Sequence, residues 1–171
     1  MVYETMVNKS ERMGAFVRSL GTLGAEDVAG RHAGFDPCYL GYFECFNSQR
    51  YYEAHDVLEH LWLKDGRDAP DYSFYKGLIQ LAGGFVHLKL QYAQPAHPKH
   101  GRRLAPAKRL FLRSMENLTP YLDSESKSHR GIDITVPIML GRSMATMLEE
   151  SSTNPWAPDR APILPLPHAS P

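Results

Sequence analysis

The sequence predicts an all-α, single-domain antiparallel helical bundle of four to five main helices, and three observations carry that expectation. Between residues 36 and 150 the apolar side chains recur at three- and four-residue spacing, the period of a helix and not of a strand. The stretch 71–92 is apolar around nearly its whole circumference yet carries Lys76 and Lys89, which suits the centre of a bundle and not a membrane. At 171 residues, 43% hydrophobic and 22% charged, the chain has the size and composition of one globular domain.

Each element follows from local chemistry. Residues 1–35 are weakly patterned and punctuated by Gly14, Gly21, Gly24 and Gly30, so they are expected to form an accessory N-terminal segment. The bundle domain is expected over 36–150. It opens at Asp36-Pro37, a capping aspartate followed by a proline in the first helical position, and runs to about Phe46. Asn47-Ser48 is expected to cap a second helix that continues to Leu63 or Lys64 and stops before the turn-rich run Asp65 to Pro70. The central helix follows over 71–92. After a loop at 94–101, an amphipathic helix starts near Pro106, with Ala107, Phe111, Met115, Leu118 and Leu122 on its apolar face. Asp133 or Thr135 caps a last helix containing Val136, Ile138, Met144 and Leu148. Six of the eighteen residues from Asn154 onward are proline, so 151–171 reads as an extended or disordered tail whose apolar residues can pack on the bundle. No convincing strand and no internal repeat are visible.

Charge and cysteine usage narrow the function. Nineteen basic and nineteen acidic residues cancel, which argues against a nucleic-acid partner. The distribution is uneven: residues 72–115 carry eight bases and no acid. Those bases are read as solvating one face and complementing the acidic first third, with an anion or RNA site on 99–113 as a lesser alternative. Cys38 and Cys45 are seven apart, roughly 10 Å along a helix, too far for a disulfide. Free thiols, a polar N-terminus and no apolar run of about 20 residues lead to the expectation of a cytoplasmic protein with no membrane segment.

The most informative residues are His55, Glu59 and Trp62, spaced His-x-x-x-Glu-x-x-Trp on the second helix. At about 100° per residue Glu59 lies near 40° and Trp62 near 340° from His55, so the three form one row. Tyr51, Ala54, Leu58 and Leu61 fill the adjacent apolar arc. Arg50, Glu53, Asp56, His60 and Lys64 are expected to point elsewhere. On the central helix Gln80 and His87 share a stripe, with Gly77 and Gly84 beside it. Glycine costs about 1 kcal/mol in a helix interior relative to alanine, so these positions signal either a close helix approach or space for a ligand.

Imidazole and carboxylate four residues apart can begin a metal site on one helix. The expected ligands of one divalent ion (Zn, Mn or Fe) are His55, Glu59 and His87. Gln80 supports them by hydrogen bonding and open positions remain for water. Glu59 and His55 are the candidate catalytic groups. The chain lacks His-Glu-x-x-His and repeated Glu-x-x-His, so neither a zincin nor a di-iron carboxylate site is expected. The alternative is a non-enzymatic bundle whose buried His/Glu network fixes helix packing and whose surface binds a partner protein.

The run Tyr39 to Trp62, followed by Gly77-Leu-Ile-Gln-Leu-Ala82 and His87, resembles a prokaryotic family, domain-of-unknown-function family 309. The stretches Ala107 to Leu118 and Gly131-Ile-Asp133 look similar to it as well, so the likeness is read over about 36–150. The resemblance implies a small all-α bundle, sometimes described as a metal-dependent hydrolase. Its motif residues fall here on Glu53, His55, Glu59, Trp62, Gln80 and His87. Its emphasis on Glu53 implies that the motif helix is covered on two sides. The expected site is thus a polar pocket between the 48–64 and 71–92 helices, lined by Glu53, Trp62, Gly77, Gln80 and Gly84, that takes a metal or a small polar ligand.

Overall fold

The computed structural model describes residues 15–16, 34–123 and 125–169. The accessory segment expected over 1–35 lies outside the described residues except for Ala15, Phe16, Gly34 and Phe35. The described residues form an all-α bundle of five main helices: α1 (Pro37–Asn47), α2 (Tyr51–Asp65), α3 (Tyr72–Ala93), α4 (Leu104–Leu118) and α5 (Thr135–Glu150).

Local chemistry sets the helix ends. Asp36 accepts the Cys38 N–H at 2.8 Å and Pro37 takes the first position, which starts α1 as its sequence requires. Asn47 was expected to cap α2, but it closes α1. The chain then reverses through Gln49, whose φ of 60° is left-handed, and α2 begins at Tyr51 with no side-chain cap. The fourth helix starts at Leu104, two residues before the expected Pro106.

α3 lies at the centre. The Tyr42 hydroxyl of α1 donates to the Leu78 carbonyl at 2.7 Å. From α2, Tyr51 stacks on Phe85 with centroids 5.2 Å apart and Trp62 packs on Tyr72 at 4.9 Å. Contacts that fall along one helix as they rise along the other make the pair antiparallel. On the opposite flank Gly77 meets Leu118, Gly84 meets Phe111, and His87 meets Arg103, so α4 is antiparallel to α3 too. α5 returns along α4, with Gly141 beside Met115 and Lys108 paired with Glu149. The largest fully buried side chains are aromatic: Tyr39, Tyr42, Phe43, Phe46, Tyr51, Phe74, Phe85 and Phe111. Each stabilises the fold by about 1.5–3 kcal/mol relative to exposure.

A short hairpin also departs from the sequence reading. Ser128–His129 and Ile132–Asp133 pair as a minimal antiparallel hairpin where no strand was expected. Its two turn residues, Arg130 and Gly131, both have positive φ (46° and 76°), the geometry of a tight hairpin turn. Asp71, only 5% exposed, holds this hairpin to the start of α3 by accepting from His129 Nε2 and Arg130 Nε, each at 2.7 Å. The proline-rich tail is extended and docked over 151–169. Trp156 is buried and its Nε1–H donates to the Tyr51 hydroxyl, while the Asn47 amide bonds both the N–H and the carbonyl of Leu164. Asn154 donates to the Leu88 carbonyl and the His168 N–H to Gly131, which fixes the tail at both ends.

Candidate metal-binding rim on helix α2

α2 buries Tyr51, Ala54, Val57, Leu58 and Leu61 between α1 and α3, and its flank carries the polar residues. His55 and Glu59 stand together there, as their four-residue spacing requires. Asp56, expected to point elsewhere, joins them: its Oδ1 lies 3.1 Å from His55 Nδ1. One ligand atom from each of His55, Asp56 and Glu59 lies within 4.8 Å of the other two. All three are half-buried, with 32% of the His55 and 16% of the Asp56 side chain exposed. Helical arithmetic separates neighbours by about 100° and so discounted Asp56. A short carboxylate can turn back onto the adjacent imidazole, and that reach is the signal the arithmetic omits. Tyr52 covers the His55 ring nearly parallel at 6.4 Å.

Trp62 completes the row on the side of α3, against Tyr72. Its Nε1–H is buried and has no hydrogen-bond partner among the described residues. Glu53 borders α1 instead. It pairs with Arg50 at 3.6 Å, and its charge is among those acting on the Cys45 thiol. Burial pushes both thiols, Cys38 and Cys45, up to about 11, so neither supplies a ready thiolate nucleophile or ligand.

The expected stripe on α3 faces α4, not α2. Gly77 and Gly84 are small because Leu118 and Phe111 press against them; a Cβ on Gly77 would stand 2.7 Å from Leu118 Cγ. The Gly77 carbonyl accepts from the Ser114 hydroxyl at 2.7 Å. Gln80 Oε1 accepts from Asn117 Nδ2 at 2.8 Å. His87 Nδ1 lies 2.9 Å from Arg103 Nη1. Burial, and then the charges of Arg103 and Arg109, hold the His87 imidazole below its ordinary value. Of the glycines' two readings, close helix approach is the one found at Gly77 and Gly84. His87 is engaged by Arg103 and is not part of the His55–Asp56–Glu59 group, where Asp56 stands in its place.

The model of the family described as Domain of unknown function (DUF309) matches residues 39–97. The chain carries a DUF309 region. That region begins in α1 and ends just past α3, so it contains His55, Glu59, Trp62, Gln80 and His87. The similar stretches at 107–118 and 131–133 lie beyond the match. Searches of curated proteins and of solved structures give no match. The DUF309 description assigns no activity, so function rests on the geometry of the α2 rim.

Proposed function

We propose that the DUF309 region binds one divalent cation on α2 through His55, Asp56 and Glu59, and uses it to hydrolyse a small polar substrate. The supporting observation is the convergence of one nitrogen and two carboxylate donors within 4.8 Å. Neighbouring ligands of one ion stand about 3–3.5 Å apart, so closing a set spread over as much as 4.8 Å needs side-chain shifts of about 1 Å or more. Half-buried side chains make such a shift by small rotations. A set of one imidazole and two carboxylates fits zinc, manganese or iron(II), and three protein ligands leave positions open.

A bound cation supplies Lewis acidity and makes water a stronger acid at neutral pH. The chain's residues do the positioning. Asp56, 3.1 Å from His55 Nδ1, holds the ring on this flank of the helix, and a cation would replace that contact so that both groups could ligate it. Glu59, one turn on, would complete the donor set. Tyr52 and Trp62 bound the rim on either side along the helix.

A second reading has its own observation. Tyr52 and Leu63 are 64% and 66% exposed on the same outer line of α2, an apolar pair suited to a partner protein. Thermal unfolding with added Zn²⁺, Mn²⁺ or Fe²⁺ separates the two. Cation binding raises stability by about 1.4 kcal/mol for each tenfold of metal above the dissociation constant, and His55→Ala abolishes that rise. A wild-type melting temperature indifferent to all three metals, with a large loss in His55→Ala, favours the partner-binding scaffold.

A further inference from the structure

Among the described residues, Arg103 is bound by two histidines and by no acid. Its Nε donates to His100 Nδ1 at 2.8 Å and its Nη1 to His87 Nδ1 at 2.9 Å. A guanidinium only donates, so both imidazoles accept through Nδ1 and carry their proton on Nε2. Both are also held below the ordinary imidazole value, His87 first by burial and His100 by partial burial and then His97, Arg103 and Lys99. Two neutral rings therefore orient the guanidinium without cancelling its charge. No carboxylate pairs with Arg103 among the described residues, and residues 72–115 contain no acid that can reach it locally. Among the described residues, no acid of the first third meets this guanidinium.

The surroundings add positive potential. Arg109 acts on the same His87 ring. His97 accepts the backbone N–H groups of Lys99 and His100 and stacks on His100 at 4.4 Å, which fixes the loop. Arg103 also occupies the N-cap position of the fifteen-residue α4, where serine, threonine, aspartate or asparagine would normally supply an acceptor. No side chain caps this end, so its free N–H groups and the positive end of the helix dipole stand beside the guanidinium.

We infer that Arg103, flanked by His87 and His100 at the start of α4, is a binding site for a phosphate group, inorganic or on a small phosphomonoester. A guanidinium presents a planar fork that matches phosphate oxygens, and its N–H groups not used by the histidines are the ones that would engage them. This site uses no residue of the cation rim, and either can fail without the other.

The test is calorimetric titration of the full chain with inorganic phosphate at low ionic strength in the presence of EDTA, repeated with a small phosphomonoester and with a short oligoribonucleotide. One saturable phosphate site per chain is expected. Its affinity falls by about tenfold or more in Arg103→Gln, but not in Lys108→Gln, which removes a charge on the same helix, nor in Asp56→Asn. A greater affinity for the phosphomonoester identifies an organic phosphate as the occupant. Should Arg103→Gln fail to fold, the Arg103 Nε resonance of the wild-type protein is followed instead, and it shifts on adding phosphate. The proposal is overturned by absence of saturable phosphate binding, by equal losses in Arg103→Gln and Lys108→Gln, by an unmoved Arg103 resonance, or by oligoribonucleotide binding without phosphate binding.

Discussion

Gly84 of α3 and Phe111 of α4 approach so closely that a β-carbon on Gly84 would stand 2.7 Å from the Phe111 Cζ. Phe111 is itself fully buried against Phe85, at 5.1 Å between centroids, and has nowhere to retreat. Gly84→Ala is therefore expected to destabilise the protein by about 1–3 kcal/mol through overpacking, outweighing alanine's roughly 1 kcal/mol helix advantage. Its neighbour is a control, since a β-carbon on Gly83 meets only the tip of Leu110 at 3.2 Å. Gly83→Ala should be neutral or stabilising by up to about 1 kcal/mol. Urea unfolding of both variants checks the pair; equal effects would show that the α3–α4 contact is looser than described.

The tail is expected to be part of the cooperative fold. Asn47→Ala removes both hydrogen bonds to Leu164 and should cost about 1–3 kcal/mol. Fluorescence-monitored denaturation reports it directly, because Trp156 is a buried residue of the same tail. A variant as stable as the wild type would mean that the tail does not hold the bundle.

The helical class and the central place of α3 were legible in the sequence because both follow from apolar periodicity, which a buried helix cannot avoid. The pairing of His55 with Glu59 was legible for the same reason: four residues make one turn. What the period cannot give is which neighbour a given face meets. Gln80, His87, Gly77 and Gly84 were correctly grouped on one side of α3, but that side is taken by α4, and only packing decides it. Asp56 was missed because its direction comes from a side-chain rotation and not from the backbone. The hairpin at Ser128–Asp133 was too short to show alternation, and its turn uses Arg130, a residue that seldom adopts positive φ.

The buried Trp62 N–H has no partner among the described residues, an arrangement that costs about 1–3 kcal/mol. Trp62→Phe loses ring area but removes the orphaned donor, so its stability should lie within about 1 kcal/mol of the wild type. Equilibrium unfolding measures the difference. A loss well above 2 kcal/mol would reveal a hydrogen bond that the indole makes in solution.

His87 gives the protein an acid-side weakness. Its folded value is depressed below the ordinary 6.5 by burial and by Arg103 and Arg109, so the unfolded chain binds a proton more readily. Its contribution is fully present above about pH 6.5 and is lost as pH falls through that value toward the folded one. Melting temperatures recorded from pH 7.5 down to 5 should fall, and His87→Gln should flatten part of the slope. An unchanged slope in that variant would assign the acid sensitivity to other groups.

The most direct measurement of the cation site compares Asp56→Asn with His87→Ala, which separates the two ligand sets without substituting His55 or Glu59. Calorimetric titration of each variant with Mn²⁺ is expected to show at least tenfold weaker binding for Asp56→Asn, a loss of about 1.4 kcal/mol or more. His87→Ala should retain wild-type affinity. The reverse order, with binding intact in Asp56→Asn and lost in His87→Ala, or no Mn²⁺ binding by the wild-type protein, would contradict a site built from His55, Asp56 and Glu59.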